Sequence, residues 1–303
     1  MPNALITVPY TSSGLTTGEA LAPAALRAAG LLEALRGADR DVADYGDVQF
    51  TPQRPQRDSH TAIIAPETFA EMVHAVRAAT SRALAAGRFP FVVGGECPLL
   101  LGCLAAARDT YQRIGLLFVD GHEDAWPPSA SETGEAADME LGLALGATQL
   151  AGLEEIAGLL PVIRAADTFL LGPRDRGEIE AAGVMSLAGS LPFLSDAKLC
   201  EGDASTLGRT WAGRLHTTAG RWWFHLDLDV LSSAALAAVR YPQPGGLSWD
   251  TLQRLTIAAL GVPGLVGLNL TIYNPDLDPT GLGAQRIVQF ISMIAPQLTS
   301  SRA

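Results

Sequence analysis

The chain has 303 residues, of which 48% are hydrophobic and 17% are charged, and this composition excludes an intrinsically disordered protein. Its formal net charge of −11 argues against binding to nucleic acids or anionic membranes, because phosphate contacts need clustered lysine and arginine side chains. The three cysteines lack a paired spacing and imply no disulfide framework. We expect a globular protein of the reducing cytoplasm without nucleic-acid or membrane partners.

Short apolar runs alternate with longer amphipathic segments along almost the whole chain. In chain order the pattern predicts a strand at 4–8, a helix at 66–86, a strand at 89–93, a helix at 97–108, strands at 114–119, 168–171 and 222–228, a helix at 248–260, a strand at 265–273 and a helix at 283–298. Apolar strands separated by helices are typical of a mostly parallel sheet covered on both faces. With no linker in view, we predict one α/β domain over residues 1–303.

Acidic side chains follow two of the predicted strands. Asp120, His122 and Asp124 come after the run at 114–119, and Asp227 and Asp229 end the run at 222–228. Residues two apart in an extended chain point the same way, and ligands of such sheets lie beyond the carboxyl ends of the strands. Four carboxylates meeting there would repel one another, and divalent cations remove that cost. The number of oxygen donors indicates two metal ions.

Three motifs in order give the chain a resemblance to the ureohydrolase family, which includes arginases, agmatinases and formimidoglutamases. The family signatures Gly-Gly-Asp-His-Ser, Asp-Ala-His-x-Asp and Asp-x-Asp correspond to Gly94-Gly95-Glu96-Cys97-Pro98, Asp120-Gly121-His122-Glu123-Asp124 and Asp227-Leu228-Asp229. Further similarity at 23–31, 171–175, 244–247 and 274–275 extends over nearly the full chain. The resemblance implies the three-layer α/β/α fold of arginases.

The resemblance also implies a metal centre and a chemistry. The implied ligands of two Mn²⁺ ions are Cys97, Asp120, His122, Asp124, Asp227 and Asp229, with Asp120 and Asp227 bridging. Cys97 stands where the family has histidine, and because a thiolate is a softer ligand, Zn²⁺ or Fe²⁺ are further candidates. The implied reaction is hydrolysis of a linear amidine-type C–N bond by a metal-bridging hydroxide steered by Asp124. The implied partner is a small guanidino, N-hydroxyguanidino or formimino compound; the sequence does not decide between a monomer and a homo-oligomer.

Several positions depart from the arginase pattern. The shuttle histidine of arginases falls near Ala137, their guanidinium-binding glutamate falls on Ile272, and an acid that reads the amino-acid amine falls on Gly177. A cysteine ligand without a shuttle histidine resembles the branch that hydrolyses Nω-hydroxy-L-arginine. We therefore expect poor turnover of L-arginine and name Glu135 and Asp138 as candidate proton shuttles, with solvent as the alternative.

Other interpretations stay open at this point. The acidic ligand set could be helix caps and loop acids, and Cys97 could be a buried packing residue. His225 could support a metal ligand from outside the coordination sphere, or it could be a satisfied core histidine. Glu123 and Glu132, like the two shuttle candidates, could read the substrate or form a solvated acidic loop. The whole chain could also be a catalytically silent relative with a binding or regulatory role.

Overall fold

One parallel sheet organises the part of the chain that the structure describes. The structure, a computed structural model, describes residues 2–37, 39–148 and 150–299. Its strands are β1 (Asn3–Val8), β2 (Val42–Asp47), β3 (Phe89–Gly94), β4 (Gly115–Val119), β5 (Thr168–Gly172), β6 (Phe193–Ser195), β7 (Trp222–Asp227) and β8 (Leu265–Thr271). Across the sheet they follow the order β2-β1-β3-β8-β7-β4-β5-β6, and all pairs are parallel.

Helices fill the connections between these strands. They are α1 (Ala22–Ala28), α2 (Leu31–Arg36), α3 (Pro66–Ala85), α4 (Leu99–Tyr111), α5 (Glu140–Leu145), α6 (Glu154–Ala157), α7 (Arg176–Ala181), α8 (Asp196–Glu201), α9 (Ala204–Ala219), α10 (Trp249–Leu260) and α11 (Leu282–Ile294). Short 3₁₀ helices lie at Gly18–Leu21, Ala136–Asp138, Ala165–Asp167, Leu187–Gly189, Leu228–Val230, Pro275–Leu277 and Ala295–Thr299. Among the described helices, none combines the length and apolarity needed to cross a bilayer.

The sheet is buried on both faces by two separate hydrophobic clusters. Within β4, Leu116 and Phe118 belong to one cluster, whereas Leu117 and Val119 belong to the other. Successive side chains of a strand point to opposite faces, so this alternation places helices on each side. Helices α3 and α4 cover the first face, and α9, α10 and α11 cover the second. The predicted α/β class with a three-layer arrangement is confirmed.

Sequence and structure differ chiefly at the sheet edges and at one helix start. The six predicted strands are all present, with ends displaced by at most two residues. β2 and β6 were not predicted, because β2 is half polar and β6 has only three residues, as suits edge strands. Helix α4 begins at Leu99, not at residue 97, so Cys97 lies in the junction between β3 and α4.

Candidate metal centre and substrate cleft

The carboxyl ends of β3, β4 and β7 bring the predicted ligands together. Ligand atoms of Asp120, His122 and Asp124 lie within 4.8 Å of one another, and so do those of Asp120, Asp227 and Asp229. Asp120 belongs to both groups, as a residue that bridges two ions would. Because neighbouring parallel strands end at the same edge, residues far apart in sequence meet at this point.

The local backbone that positions these ligands is not the extended chain expected from the sequence. β7 ends at Asp227, and Asp229 lies in the 3₁₀ helix that follows. Asp227 caps this helix, because its Oδ1 accepts a hydrogen bond from Asp229 N at 2.7 Å. In the same way Asp120 Oδ1 accepts from His122 N at 2.7 Å in the loop after β4. The prediction of a shared strand face was therefore wrong, since carboxylate–backbone hydrogen bonds turn the chain here. The side chains converge nevertheless.

Burial sets the electrostatics of this group. Asp120, Asp124 and Asp227 are at most 6% exposed. Burial raises the pKa of each carboxyl, and the charges of neighbouring carboxylates add to the effect. Asp229 differs: although burial opposes ionisation, His122 Nδ1 at 2.8 Å from its Oδ2 lowers its pKa to about 2. Burial likewise acts to lower the pKa of His122, but Asp229 outweighs it and raises that pKa to about 10.

Several buried polar atoms here have no hydrogen-bond partner among the described residues. They are Oδ2 of Asp120, both carboxylate oxygens of Glu140 and Nε2 of His225. A buried oxygen without a donor costs about 1–3 kcal/mol, and more when it is charged. Divalent cations would satisfy these oxygens and offset the repulsion between the carboxylates, so the donor set fits such ions.

Cys97 lies inside this group. Its Sγ is 2.7 Å from Asp227 Oδ2 and 3.0 Å from Thr271 Oγ1, and the residue is 1% exposed. Burial, and then the carboxylates headed by Asp227, raise the pKa of the thiol well above its ordinary value. A thiolate would therefore need a cation beside it. Gly95 permits the close approach of the backbone at Tyr10, because a Cβ at this position would lie 2.0 Å from Tyr10 O.

A hydrogen-bonded chain fixes the state of His225. Trp223 Nε1 can only donate, and it donates to Asn269 Oδ1 at 2.8 Å. This orients the amide, so Asn269 Nδ2 faces His225 Nδ1 at 2.6 Å and donates to it. Nδ1 is thus the acceptor, and Nε2 carries the hydrogen, 3.5 Å from Asp120 Oδ2. Of the two interpretations of His225, the geometry favours a residue whose N–H group is directed at a predicted metal ligand, Asp120.

An acidic cleft opens above the predicted ligands. Its volume is about 760 Å³. Ten carboxylates and one arginine are among its lining residues, which are Glu19, Glu96, His122, Asp124, Trp126, Glu132, Thr133, Glu135, Ala137, Asp138, Asp175, Glu178, Ala181, Ala182, Asp227, Asp229, Arg240, Tyr241, Pro242, Gln243 and Ile272. A cleft so charged attracts cations.

The structure separates the two shuttle candidates, which both line the cleft. Glu135 Oε1 pairs with Arg240 Nη1 at 3.0 Å, and its Oε2 accepts from Tyr241 Oη at 3.2 Å. Asp138 Oδ2 accepts from the hydroxyls of Ser131 and Thr133, whereas its buried Oδ1 has no partner. Burial raises the pKa of Asp138 to about 6 although those hydroxyls oppose it. Glu135 is thus engaged by a cation, and Asp138 keeps one oxygen uncommitted.

Glu123 contradicts its sequence interpretation. It is fully buried, and its carboxylate accepts from Ser186 Oγ at 2.7 Å and from Leu187 N. It neither reads a substrate nor belongs to a solvated loop; it anchors a neighbouring loop. Glu132, by contrast, is exposed at the cleft rim.

Cys103 is a buried core residue and Cys200 is exposed, as expected for cysteines without metal-like neighbours.

Two functional candidates escaped sequence reasoning. Glu140, the first residue of α5, is fully buried, and its carboxyl group lies within hydrogen-bonding range of the Asp124 carboxyl. The available signal was a lone acid inside the apolar run from Met139 to Leu145. Arg240 lies at the cleft wall beside Glu135, and its position in a stretch without regular structure gave no signal.

Comparison with known proteins matches the chain along most of its length. A model of the Arginase family matches residues 2–295. The chain is 28% identical to an arginase of Bacillus caldovelox over 249 residues, which covers 82% of each protein. It is 26% identical to human arginase-1 over 284 residues, which covers 91% of this chain and 86% of that protein.

Solved structures show the same architecture. Arginase from Bacillus caldovelox aligns with a TM-score of 0.84 at 25% identity, covering 97% of each chain. Proclavaminate amidino hydrolase from Streptomyces clavuligerus has the same fold, with a TM-score of 0.72 at 18% identity over 99% of this chain and 93% of that one. Proteins of the arginase family are hydrolases that act on C–N bonds in linear amidines, and the matches over nearly the whole chain place this protein in that class. The chain belongs to the arginase family.

Proposed function

We propose that the protein is a binuclear Mn²⁺-dependent hydrolase that cleaves a linear C–N bond of a cationic or weakly basic guanidino-type compound. The observation that carries this proposal is the convergence of Cys97 and five nitrogen or oxygen ligand residues at the floor of an acidic cleft. Carboxylate and imidazole ligands suit Mn²⁺, and the arginase family is typically binuclear. The thiol of Cys97 keeps Zn²⁺ and Fe²⁺ as candidates.

The proposed ligands are the six predicted from the sequence. They are Cys97, Asp120, His122, Asp124, Asp227 and Asp229, with Asp120 and Asp227 as the bridging pair that the resemblance implies. Asp120 belongs to more than one group of converging ligand atoms, which supports its part in this assignment. When bound, a divalent metal pair lowers the pKa of a coordinated water and so supplies hydroxide near neutral pH. His225 Nε2 lies 3.5 Å from Asp120 Oδ2 and would direct its hydrogen at that carboxylate, and Asp124 lines the cleft, where it would orient the nucleophile.

We assign the proton shuttle to Asp138 in preference to Glu135. Asp138 lines the cleft, and its Oδ1 has no partner among the described residues, so it can hold or release a proton there. The hydroxyls of Ser131 and Thr133 fix the other oxygen, which limits the rotation of the carboxyl group. Glu135 instead holds Arg240, and this ion pair shapes the cleft wall.

The cleft supports a preference for an N-hydroxyguanidino compound over L-arginine. Ile272 lines the cleft where arginases place a carboxylate, and an aliphatic side chain leaves guanidinium donors unsatisfied. An N-hydroxyguanidine is less basic than a guanidine, and a formimino group has fewer N–H donors, so both lose less beside an aliphatic side chain. The remaining carboxylates of the cleft suit a positively charged group distant from the reacting carbon.

A substrate screen with metal analysis tests the proposal. Purified protein loaded with Mn²⁺ should hold about two equivalents and release urea, hydroxyurea, formamide or ammonia from at least one guanidino, N-hydroxyguanidino or formimino compound. An Asp120→Asn variant is the matched control, because it should lose both metal and turnover. Wild-type protein that binds no divalent metal, or that binds two ions and hydrolyses none of these compounds, would support a silent relative instead.

A further inference from the structure

We infer that Glu140 is a seventh ligand of the metal centre, in addition to the six predicted ligands, and that it binds the ion held by Cys97. The inference rests on the proposed metal centre and extends it. Ligand atoms of Cys97, Asp120, Glu140 and His225 all lie within 4.8 Å of one another. Three of these four residues come from strand ends, whereas Glu140 enters from the start of α5.

Within the described part of the chain, no hydrogen-bond donor or ion pair accounts for the buried carboxylate of Glu140. It is fully buried, and neither of its oxygens has a hydrogen-bond donor among the described residues. The polar group beside it is the Asp124 carboxyl, which is a partner only when one of the two is protonated. Two buried carboxyl groups in contact are stable when a cation lies between them, and no arginine or lysine is paired with Glu140 in the described residues.

The alternative member of this group is His225, and its hydrogen bonds exclude it. Its Nδ1 accepts from Asn269, so Nε2 carries a hydrogen and cannot bind a metal ion in that tautomer. A close packing contact holds this arrangement, because a Cβ at Gly267 would lie 2.0 Å from the Trp223 ring that orients the amide. Glu140 is therefore the group that can supply ligand atoms to an ion already sharing Cys97 and Asp120.

The chemistry of the site gives Glu140 a reason to be present. A family ligand, histidine, is replaced by Cys97, whose thiol reaches Asp227 at 2.7 Å. Mn²⁺ prefers oxygen and nitrogen donors over a single soft thiolate. A carboxylate on the same ion restores hard-donor character and offers one or two oxygens. We accordingly expect the ion at Cys97 to have Glu140 as a ligand and the ion at His122 to lack it.

Measuring metal binding by the Glu140→Gln and Glu140→Leu variants, in comparison with wild type, tests the inference independently of activity. Mn²⁺ equivalents after gel filtration, Mn²⁺ affinity by calorimetry and the Co²⁺ absorption spectrum are the readouts. One ion should bind about 100-fold more weakly or worse, because loss of an outer-shell partner alone costs about 10–100-fold. The Co²⁺ thiolate charge-transfer band, which reports the ion at Cys97, should weaken at equal metal concentration.

Two controls keep the outcome decisive. Asp167→Asn removes another fully buried carboxylate, one paired with Arg113 before β5, and should leave metal binding unchanged. Glu140→Leu should fold, because it removes a buried carboxyl without a donor, so the metal-free protein should be at least as stable as wild type. If both Glu140 variants bind two ions within about threefold of wild-type affinity, with the wild-type Co²⁺ spectrum, Glu140 is not a ligand. If wild type itself binds no metal, the proposed function fails instead.

Discussion

Asp124 and Ile272 are the two described residues of the cleft lining that hold a positive φ, 43° and 59° respectively. Non-glycine residues rarely occupy this region, and a β-branched side chain there is strained by about 1–3 kcal/mol. The backbone around each residue is held by hydrogen bonds: Ile272 N donates to Gly95 O at 2.8 Å, and Gly142 N donates to Asp124 O at 3.0 Å. Two strained residues thus line the cleft, as is typical of ligand sites.

Replacing Ile272 tests the expected discrimination against L-arginine. Wild-type protein should release urea from L-arginine poorly, and Ile272→Glu should raise kcat/KM for it by about 10- to 100-fold, the value of one hydrogen bond to a charged group. Initial rates of urea formation measure this. Ile272→Gln relieves the β-branched strain without adding charge, and so it should gain much less. Efficient urea release by the wild type would show that Ile272 does not set the preference.

Cys97 should be required for one metal ion. We expect Cys97→Ala to lose one ion preferentially together with most activity, because the thiolate is absent, and Cys97→His to keep both ions. Metal analysis and resistance to thiol oxidants are the measurements, since the histidine variant has no thiolate in the cluster. Cys103→Ala is the control, because Cys103 is buried in the core away from the site. Full metal content in the Cys97→Ala variant would show that Cys97 is a packing residue and not a metal ligand.

Chelation should lower thermal stability, and Mn²⁺ should restore it. Removing the cations leaves Asp120, Asp124 and Asp227 buried and mutually repelling. Mn²⁺ at 100 times its Kd adds about 2.7 kcal/mol per site, which corresponds to several degrees in Tm for a chain of this length. Differential scanning calorimetry with EDTA, Mn²⁺ and Mg²⁺ measures it. Mg²⁺ should protect less, because it favours all-oxygen sites; a Tm that ignores both chelator and Mn²⁺ would argue against a metal centre.

Asp138 and Glu135 should respond differently to neutralisation. Asp138→Asn should lower kcat by about 10²–10⁴-fold with metal content unchanged, which is the range for loss of a general acid or base. Glu135→Gln should mainly change KM, because it releases Arg240 at the cleft wall. Steady-state kinetics on the best substrate separate these effects. Unchanged kcat in a variant with alanine at both positions would assign the proton transfer to solvent.

The pair of Arg27 and Asp44 should make stability depend on acid pH. A guanidinium nitrogen lies 2.7 Å from Asp44 Oδ2, and its hydrogen bond lowers the pKa of that carboxyl. A lowered pKa means that the contribution is present above the unfolded value of about 4 and is lost as pH falls through the folded value. Both side chains are about a quarter to a third exposed, so solvent screening limits the contribution to about 0.5–1 kcal/mol.

Urea unfolding of Asp44→Asn measures this contribution. The variant should be less stable than wild type at pH 7, and the difference should shrink as the pH falls below about 4 toward pH 2. Glu180→Gln disrupts the more exposed pair with Arg176 and should change stability by less than about 0.5 kcal/mol at either pH. A difference that persists at pH 2 would mean that packing, not charge, stabilises Asp44.

The sequence was sufficient to predict the strands that are completely buried. It was insufficient to predict features that depend on individual side-chain contacts in the folded protein. Fully buried strands such as β4 and β7 were predicted from their apolar runs, while the half-polar edge strand β2 was not. The convergence of Asp120 and Asp227 followed from parallel strands ending at one edge. The buried anchoring role of Glu123 could not be predicted, because its partners lie more than 60 residues away. That residues 1–303 form a single domain stays a prediction; residues 1, 38, 149 and 300–303 lie outside the described residues.

The separation of the ligands along the chain has a consequence for how the protein is made. Cys97 and Asp227, whose side chains touch, are 130 residues apart in sequence. They meet only after β3, β8, β7 and β4 have assembled in register. Bringing these strands together closes long segments of chain, and the loss of conformational entropy opposes this step. The nascent polypeptide therefore offers no cation a formed site. A divalent cation would bind after folding, and the cleft would be its route to the ligands.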